Sequence, residues 1–390
     1  MSAALVITPR SRLFHGHDWV YAAEVKTTQG EPEPGGIVTL KDVKGKPLGT
    51  AIYNPKSQIV ARRFSFRKQA LDEEFFVRRI ERAAGYRETL SIDHSLCRLV
   101  WSESDGLPGL IVDRYGEHLV VQTLTLAMDL NLPKIVAALN QVLKPKSIVE
   151  RNDSPIRKAE GMELRKSALH GSPPKSLQVK TRGMCFQVDL MEGQKTGLYL
   201  DQLDNYSRVA QYARGKRVLD CFANQGGFAQ ACCLAGAREV IAVDASQSAV
   251  DATLDNAKEA GVVIGARMDN VFDYLKTAEK KDERFDLIVL DPPSFTKTKH
   301  SLKDAMRGYK EIHLRALRML EPGGILATFS CSHHVNMGDF RVMVLSAAVD
   351  VKKGLRLREV FSQRPDHPIL AGIPETEYLR GLAYEVMGAW

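Results

Sequence analysis

Between Val218 and Phe329 the chain repeats one arrangement, a short apolar run followed by a helical stretch. The apolar runs are Val218-Leu219-Asp220, Val240 to Asp244, Val262 to Met268, Leu287 to Asp291 and Ile325 to Phe329. Helical spacing covers Phe228 to Leu234 and Ser248 to Ala260 between them. Runs this apolar have no polar face to turn to water, so helices must cover both sides of the sheet they form. The rhythm predicts an α/β fold with a doubly wound, mostly parallel sheet. Such sheets bind ligands beyond the carboxyl ends of their strands, where the strand order reverses. Three of the runs end in an acid (Asp220, Asp244 and Asp291), and Asp269 follows the weaker third one. Four acids on successive strands would converge on one rim, although each alone also reads as a cap or turn residue.

The first strand leads into Asp220-Cys221-Phe222-Ala223-Asn224-Gln225-Gly226-Gly227-Phe228. Its two glycines permit close backbone approach to a ligand at the helix start. This is not the G-x-G-x-x-G loop that holds a pyrophosphate on helix amides, which weakens a nicotinamide dehydrogenase reading. An acid beside the loop repels phosphate and suits a cofactor carrying an amino group and a sulfonium. Asp244 can accept from both hydroxyls of a ribose, and Asp269 is placed for an adenine amino group.

Ahead of this lie two further regions, as expected of a 390-residue chain too long for one ordinary core. Leu5 to Phe66 reads as short strands punctuated by Pro32, Pro34, Gly35 and Gly36, the pattern of a compact β-barrel. Residues 1–70 hold eleven Lys and Arg against five Asp and Glu. That imbalance fits a polyanion partner or a solvated basic face, and charge alone does not choose. Leu71 to Leu90 is helical, and strands follow at 97–101, 110–113 and 118–122, a helix at 130–143, and a closing strand at 147–151. His170 to Ser176 reads as a linker. The predicted domains are therefore 1–70, a small α+β unit at 71–177, and the catalytic domain at 178–390.

Six cysteines show neither paired metal spacing nor a secreted disulfide framework, so no metal site is expected. No apolar run nears the roughly 18 residues of a membrane span, and Met1 to Arg12 lacks a signal-peptide core. A cytoplasmic protein without membrane contact is the expectation.

Several motifs tie these regions to a known family. They are Glu103-Ser104-Asp105-Gly106-Leu107-Pro108-Gly109-Leu110, Asp113-Arg114-Tyr115-Gly116, Gly161-Met162-Glu163, Lys195-Thr196-Gly197-Leu198-Tyr199-Leu200-Asp201-Gln202, Asp291-Pro292-Pro293-Ser294-Phe295 and Phe329-Ser330-Cys331-Ser332. Through them the chain resembles the class I S-adenosylmethionine methyltransferases. Within these it is similar to the bacterial large-subunit rRNA methyltransferase I family, which forms 5-methylcytosine. Residues 1–70 resemble a PUA domain, an RNA-binding pseudo-barrel, through Gly16-His17-Asp18-Trp19-Val20 and Tyr53-Asn54-Pro55-Lys56-Ser57. The resemblance implies S-adenosyl-L-methionine as cofactor, RNA (23S rRNA) as partner, and admits a homodimer. It places Lys195, Tyr199 and Asp201 near the cofactor, with Phe222, Gly226, Ala245, Asn270 and Asp291 completing the set around Asp220, Asp244 and Asp269.

The prolines of the Asp291 motif stiffen a loop in which Asp291 can accept from an exocyclic amine and Phe295 can pack near a base. That motif also fits enzymes that methylate amino groups. Cys331 separates the two chemistries. Carbon 5 of cytosine is a poor nucleophile until a thiolate adds to carbon 6, whereas amino groups need no thiol. A related group of cytosine-C5 enzymes carries a second cysteine after a proline of the fourth-strand motif, where this chain has Pro293. The base that removes the carbon-5 proton is therefore open, with Asp291 a candidate and His333 and His334 close in sequence. A third reading is an RNA-binding assembly factor with an inactive methyltransferase domain.

Overall fold

Strands buried on both faces need helices on both sides, and the C-terminal half meets that demand. The computed structural model describes residues 3–9, 11–193, 196–295, 302–332 and 334–388. Two compact units divide the chain. One comprises Met1–Leu177, Val188–Leu200 and Pro365–Thr376, the other Gln178–Gln187, Asp201–Arg364 and Glu377–Trp390.

The second unit carries a seven-stranded sheet: β1 (Arg217–Cys221), β2 (Glu239–Asp244), β3 (Gly265–Met268), β4 (Phe285–Leu290), β5 (Leu320–Ser330), β6 (Gly354–Ser362) and β7 (Arg380–Met387). Their order is β3-β2-β1-β4-β5-β7-β6. The first five pair in parallel, and β7 runs antiparallel to both β5 and β6. The order reverses between β1 and β4, which puts the switch point there. The helices are α1 (Leu203–Ala210), α2 (Gly227–Leu234), α3 (Gln247–Glu259), α4 (Val271–Lys280), α5 (Leu302–Met319) and α6 (Met337–Asp350). Val271 and Leu275 of α4, Tyr309, Ile312 and Ala316 of α5, and Phe340 and Val344 of α6 share one core with Leu219, Ile288 and Leu326 of the sheet.

The doubly wound expectation holds, and the sheet is two strands larger than the sequence reading. In β6, Arg356, Leu357 and Arg358 are exposed, so its pattern lacks the buried apolar run that marks an inner strand. A hairpin of Leu177–Thr181 and Met184–Val188 was also missed. Its turn places Arg182 and Gly183 at φ of 49° and 83°, the left-handed pair that a two-residue hairpin loop uses.

In the first unit, Ala4–Ile7, Trp19–Val20, Val25–Gln29, Ile37–Lys41, Pro47–Tyr53 and Ala61–Ser65 form a six-stranded sheet. A second sheet of five strands spans residues 96 to 171. The expected linker at His170 is corrected here. Arg165–Gly171 is a strand, paired antiparallel to Ser147–Asn152. Its residues alternate between exposed and half-buried, so no apolar run announced it.

Residues 1–70 and 71–177 fall in one compact unit. Ile52 and Phe64 belong to the same core as Phe75, Phe76, Ile80 and Val112. The Asn54 and Ser57 side chains both bind Glu160, the former at 2.9 Å through Nδ2 to Oε2. Two stretches assigned to the catalytic domain also fold with this unit. The Thr196 hydroxyl donates to Asp113 Oδ2 (2.6 Å), the Leu198 N–H to the Tyr115 hydroxyl (3.0 Å), and the Arg87 guanidinium to the Asp366 carbonyl (2.8 Å).

Candidate active site

The loop after β1 opens α2 through an alternation of left-handed residues: Phe222 (φ 64°), Asn224 (49°) and Gly226 (76°). A non-glycine residue there costs roughly 1–3 kcal/mol and persists only where its surroundings over-determine it. Here they do. The N–H groups of Phe222 and Ala223 both donate to the Val243 carbonyl, at 2.9 and 3.1 Å. The Thr253 hydroxyl donates to the Asn224 carbonyl (2.9 Å) and Asn256 Nδ2 to that of Gln225 (3.1 Å), so α3 grips the loop from one side. A Cβ on Gly226 would stand 2.7 Å from Thr253 Cγ2, and one on Gly227 would run into the Tyr206 ring.

Asp220 points at the same helix start. It is 1% exposed, and its Oδ2 accepts the Ala229 N–H at 3.0 Å. Its Oδ1 is buried and has no hydrogen-bond partner among the described residues. Burial, with the Asp291 and Asp244 charges adding to it, drives this carboxyl well above the usual range despite the Ala229 donor. A buried acid with one oxygen unmet calls for a cation or a donor, the opposite of what a phosphate offers.

Asp244 ends β2 and pins two loops. Its Oδ2 accepts the Asn224 N–H (2.9 Å) and its Oδ1 the Ser246 N–H (3.0 Å). A carboxylate has about four acceptor positions, so each oxygen retains one. The Asp269 N–H donates to the Asp244 carbonyl at 3.0 Å, which sets these two acids side by side. Ala245 is exposed between the loops. Asn270 caps α4, its side chain accepting the Phe272 N–H at 2.9 Å.

The structure places Asp201 in a buried position, where the Tyr378 hydroxyl donates to its Oδ2 at 2.6 Å. The next residue, Gln202, donates through Nε2 to Asp291 Oδ2 at 3.0 Å. Tyr199 falls in the other unit, and Lys195 lies outside the described residues.

Asp291 and Cys331 leave the carboxyl ends of adjacent parallel strands, β4 and β5. A hydroxyl chain stitches the two exits together. Ser294 bonds Ser332 at 3.0 Å, and the Tyr309 hydroxyl of α5 bonds Ser332 at 2.9 Å and Ser330 at 3.1 Å. Burial raises the Tyr309 pKa, and Cys331 and Asp291 push it further up, so both lie within its electrostatic reach. Cys331 is partly exposed, whereas burial shuts in Cys221 and Cys232 and raises their thiols well above the ordinary value. Cys233, also partly exposed, is pushed up to about 11 by burial.

Phe295 stands in an aromatic cluster, with ring centroids 4.7 Å from Tyr309, 5.8 Å from Phe272 and 6.3 Å from Phe222. It thus joins the Asp291 loop to the loop after β1. His334 is partly buried, and His333 lies outside the described residues.

Sequence reasoning missed Gln202, Tyr309, Ser332 and Tyr378. Tyr309 was detectable. The buried set Ala305, Tyr309, Ile312 and Ala316 has helical spacing, with the only hydroxyl of the four at its centre.

His313, one turn beyond Tyr309, has a fixed proton. Its Nδ1 can only donate to the Tyr309 carbonyl (2.6 Å), so Nε2 accepts from the Thr328 hydroxyl (2.7 Å). Burial lowers its pKa from 6.5 to about 4. The ring is therefore neutral when folded and takes up a proton on unfolding between those values. Stability contributed by this site is complete above pH 6.5 and falls as pH drops towards 4, by about 3 kcal/mol in all. Denaturant titrations at pH 7 and pH 4.5 should show a smaller acid loss in His313→Gln than in the native protein. An equal loss in both would show that His313 is not buried neutral.

Comparisons with known proteins fit this geometry. Residues 163–371 match the family model of S-adenosylmethionine-dependent methyltransferases, and residues 10–66 match that of PUA-like domains. The chain is 38% identical over 382 residues to the ribosomal RNA large subunit methyltransferase I of Erwinia tasmaniensis, covering 96% of each chain. It is 39% identical over 396 residues to the protein of the same name from Cronobacter sakazakii, covering 99% of this chain and all of that one. A solved SAM-dependent methyltransferase from Streptococcus mutans shares the fold, with a TM-score of 0.84, 20% identity, and coverage of 98% of this chain and 100% of that one.

Proposed function

The chain belongs to the ribosomal RNA large subunit methyltransferase I family of S-adenosylmethionine-dependent enzymes, and from that premise we propose that it forms 5-methylcytosine in large-subunit RNA through a covalent adduct of Cys331. The observation that carries this reading is the pairing of Cys331 with Asp291 at adjacent strand ends, joined through Ser294, Ser332 and Tyr309.

S-adenosylmethionine suits the rim. The unmet Oδ1 of Asp220 fits its amino group, and the free acceptor positions of Asp244 fit its ribose hydroxyls. Asp269 and Asn270 lie on the adenine side of this assignment, and Asp201 on the side of the chain segment before β1. Bound there, the cofactor supplies an electrophilic methyl group on a sulfonium.

Asp291, steadied by Gln202, accepts from the exocyclic amine of the cytosine, with Phe295 behind it. The Cys331 thiolate adds to carbon 6, and the displaced π electrons make carbon 5 a nucleophile. Once carbon 5 carries the methyl group, loss of its proton restores the double bond and breaks the carbon–sulfur bond, returning the thiolate. Asp291 is the candidate acceptor of that proton.

The assignment is tested by mapping 5-methylcytosine in large-subunit RNA from cells with and without the gene. A single cytosine should lose its carbon-5 methyl group. Loss of an N-methyl mark instead would replace this reading with amino-group methylation.

Asp220 yields a pH test. Its carboxyl holds a proton above the usual carboxylate range in the free protein, and a cationic ligand favours the ionised form. The free protein therefore binds more protons than the complex, and affinity should rise with pH across that titration. Calorimetry in buffers of different ionisation heat should detect proton release, reduced in Asp220→Asn. Identical proton release in the two proteins would remove Asp220 from the cofactor's cationic end.

A further inference from the structure

In the first unit an open cleft lies between the last strand of the six-stranded sheet and helix Glu73–Glu88. Arg63, Phe66, Arg67, Arg79 and Arg82 line it, together with two acids. Both acids are already spent. Asp18 pairs with Arg63 at 2.7 Å and Glu103 with Arg62 at 2.6 Å. Arg67, Arg79 and Arg82 form no ion pair among the described residues, so three positive charges face one opening without compensation. Arg79 is partly buried, and its guanidinium donates to the Phe64 carbonyl at 2.9 Å. Burial lowers its pKa, and repulsion from Arg82 and Arg78 adds to the effect. An anion in the cleft would relieve that repulsion.

The second feature is Phe66. This residue is 77% exposed at the edge of the charge cluster. The Arg63 guanidinium lies over the ring, 4.1 Å from its centroid, and holds it in place. Phe66 thus presents a held aromatic face to water beside three arginines that form no ion pair among the described residues. Phosphates bound by arginine beside an aromatic platform for a base are the two elements of a single-strand binding site.

We propose that this cleft is a second RNA subsite, in which Arg67, Arg79 and Arg82 bind the phosphates of a single-stranded segment and Phe66 stacks one of its bases. The proposal rests on the RNA substrate argued above. It assigns to the first unit the holding of a strand, separate from the methyl transfer at Cys331.

The test uses the full chain and a labelled single-stranded oligoribonucleotide, with heparin as a polyanion that has no bases. Arg67→Ala combined with Arg82→Ala, both exposed, should weaken RNA binding about tenfold and flatten the plot of log affinity against log salt by about 1.4, two phosphate contacts' worth. Heparin binding should weaken as well. Phe66→Ala should lower RNA affinity roughly five- to a hundredfold and leave heparin affinity and the salt slope unchanged. S-adenosylmethionine affinity should stay at the native value in all variants, and a native near-ultraviolet circular dichroism spectrum confirms their fold. A native salt slope in the double variant, or equal RNA affinity in Phe66→Ala, would overturn the subsite while the native protein's RNA binding stands. If the native protein binds the RNA no better than heparin-free buffer controls, the RNA reading itself fails and the subsite with it.

Discussion

Cys331→Ala should bind S-adenosylmethionine with near-native affinity and lose methyl transfer by about three orders of magnitude or more, the scale on which removal of an enzyme nucleophile acts. The split follows from geometry. Cys331 leaves β5, whereas the acids proposed to hold the cofactor, Asp220, Asp244 and Asp269, stand at the ends of β1, β2 and β3. A sharper result is expected with RNA carrying 5-fluorocytidine at the target. After methylation that ring has no proton on carbon 5 to lose, so the carbon–sulfur bond cannot break. The native protein should then remain attached to the RNA through denaturing electrophoresis, and Cys331→Ala should not. Methyl transfer by the Ala variant at a rate near native would reject the thiolate route and favour amino-group methylation. The other cysteines offer no substitute. Cys97, Cys185, Cys221 and Cys232 are buried, and burial pushes the Cys233 thiol up to about 11.

For Asp244→Ala we expect a fall in S-adenosylmethionine affinity of roughly ten- to a hundredfold, the cost of removing hydrogen bonds to a charged group. The structure adds a second loss. The same carboxylate holds the N–H groups of Asn224 and Ser246, and Asn224 is left-handed. Without that anchor the loop after β1 can relax away from the ligand. Asp244→Asn keeps one accepting oxygen and should bind more tightly than Asp244→Ala. Calorimetry checks both, with near-ultraviolet circular dichroism reporting that the sheet survives. Native affinity in both variants would take Asp244 out of the cofactor site.

Most of the catalytic fold could be read before any coordinate. Apolar runs ending in acids, spaced by amphipathic helices, have one economical solution, a parallel sheet whose strand ends gather the acids on one rim. Asp220, Asp244, Asp291 and Cys331 were legible for that reason: each follows an apolar run, and strand direction alone decides on which rim it emerges. Strands β6 and β7 were not: the edge strand β6 is half open to water and carries no continuous apolar signature, and the inner strand β7 interrupts its apolar residues with Arg380, Gly381 and Glu385. Phe295 was legible as an aromatic beside the Asp291 loop, but its neighbours were not.

What only tertiary structure decided is which groups meet across the chain. The unmet oxygen of Asp220 follows from complete burial, a quantity that depends on every element packed around it. The link from Ser294 to Ser332 and Tyr309 joins residues up to 38 positions apart, and Gln202 reaches Asp291 across 89. The chain's division was likewise set by packing. Thr196 and Asp366 lie within the predicted catalytic domain in sequence, yet fold with Asp113 and Arg87. Composition counted the basic residues of the first seventy, but only the fold separated Arg62 and Arg63, already paired, from Arg67, which forms no ion pair among the described residues and shares a cleft with Arg79 and Arg82 from beyond that stretch. Sequence periodicity encodes which face of an element is buried. The partner against which that face is buried is fixed by the three-dimensional fold, because the hydrogen bonds and ion pairs that decide it are made between residues distant in the chain.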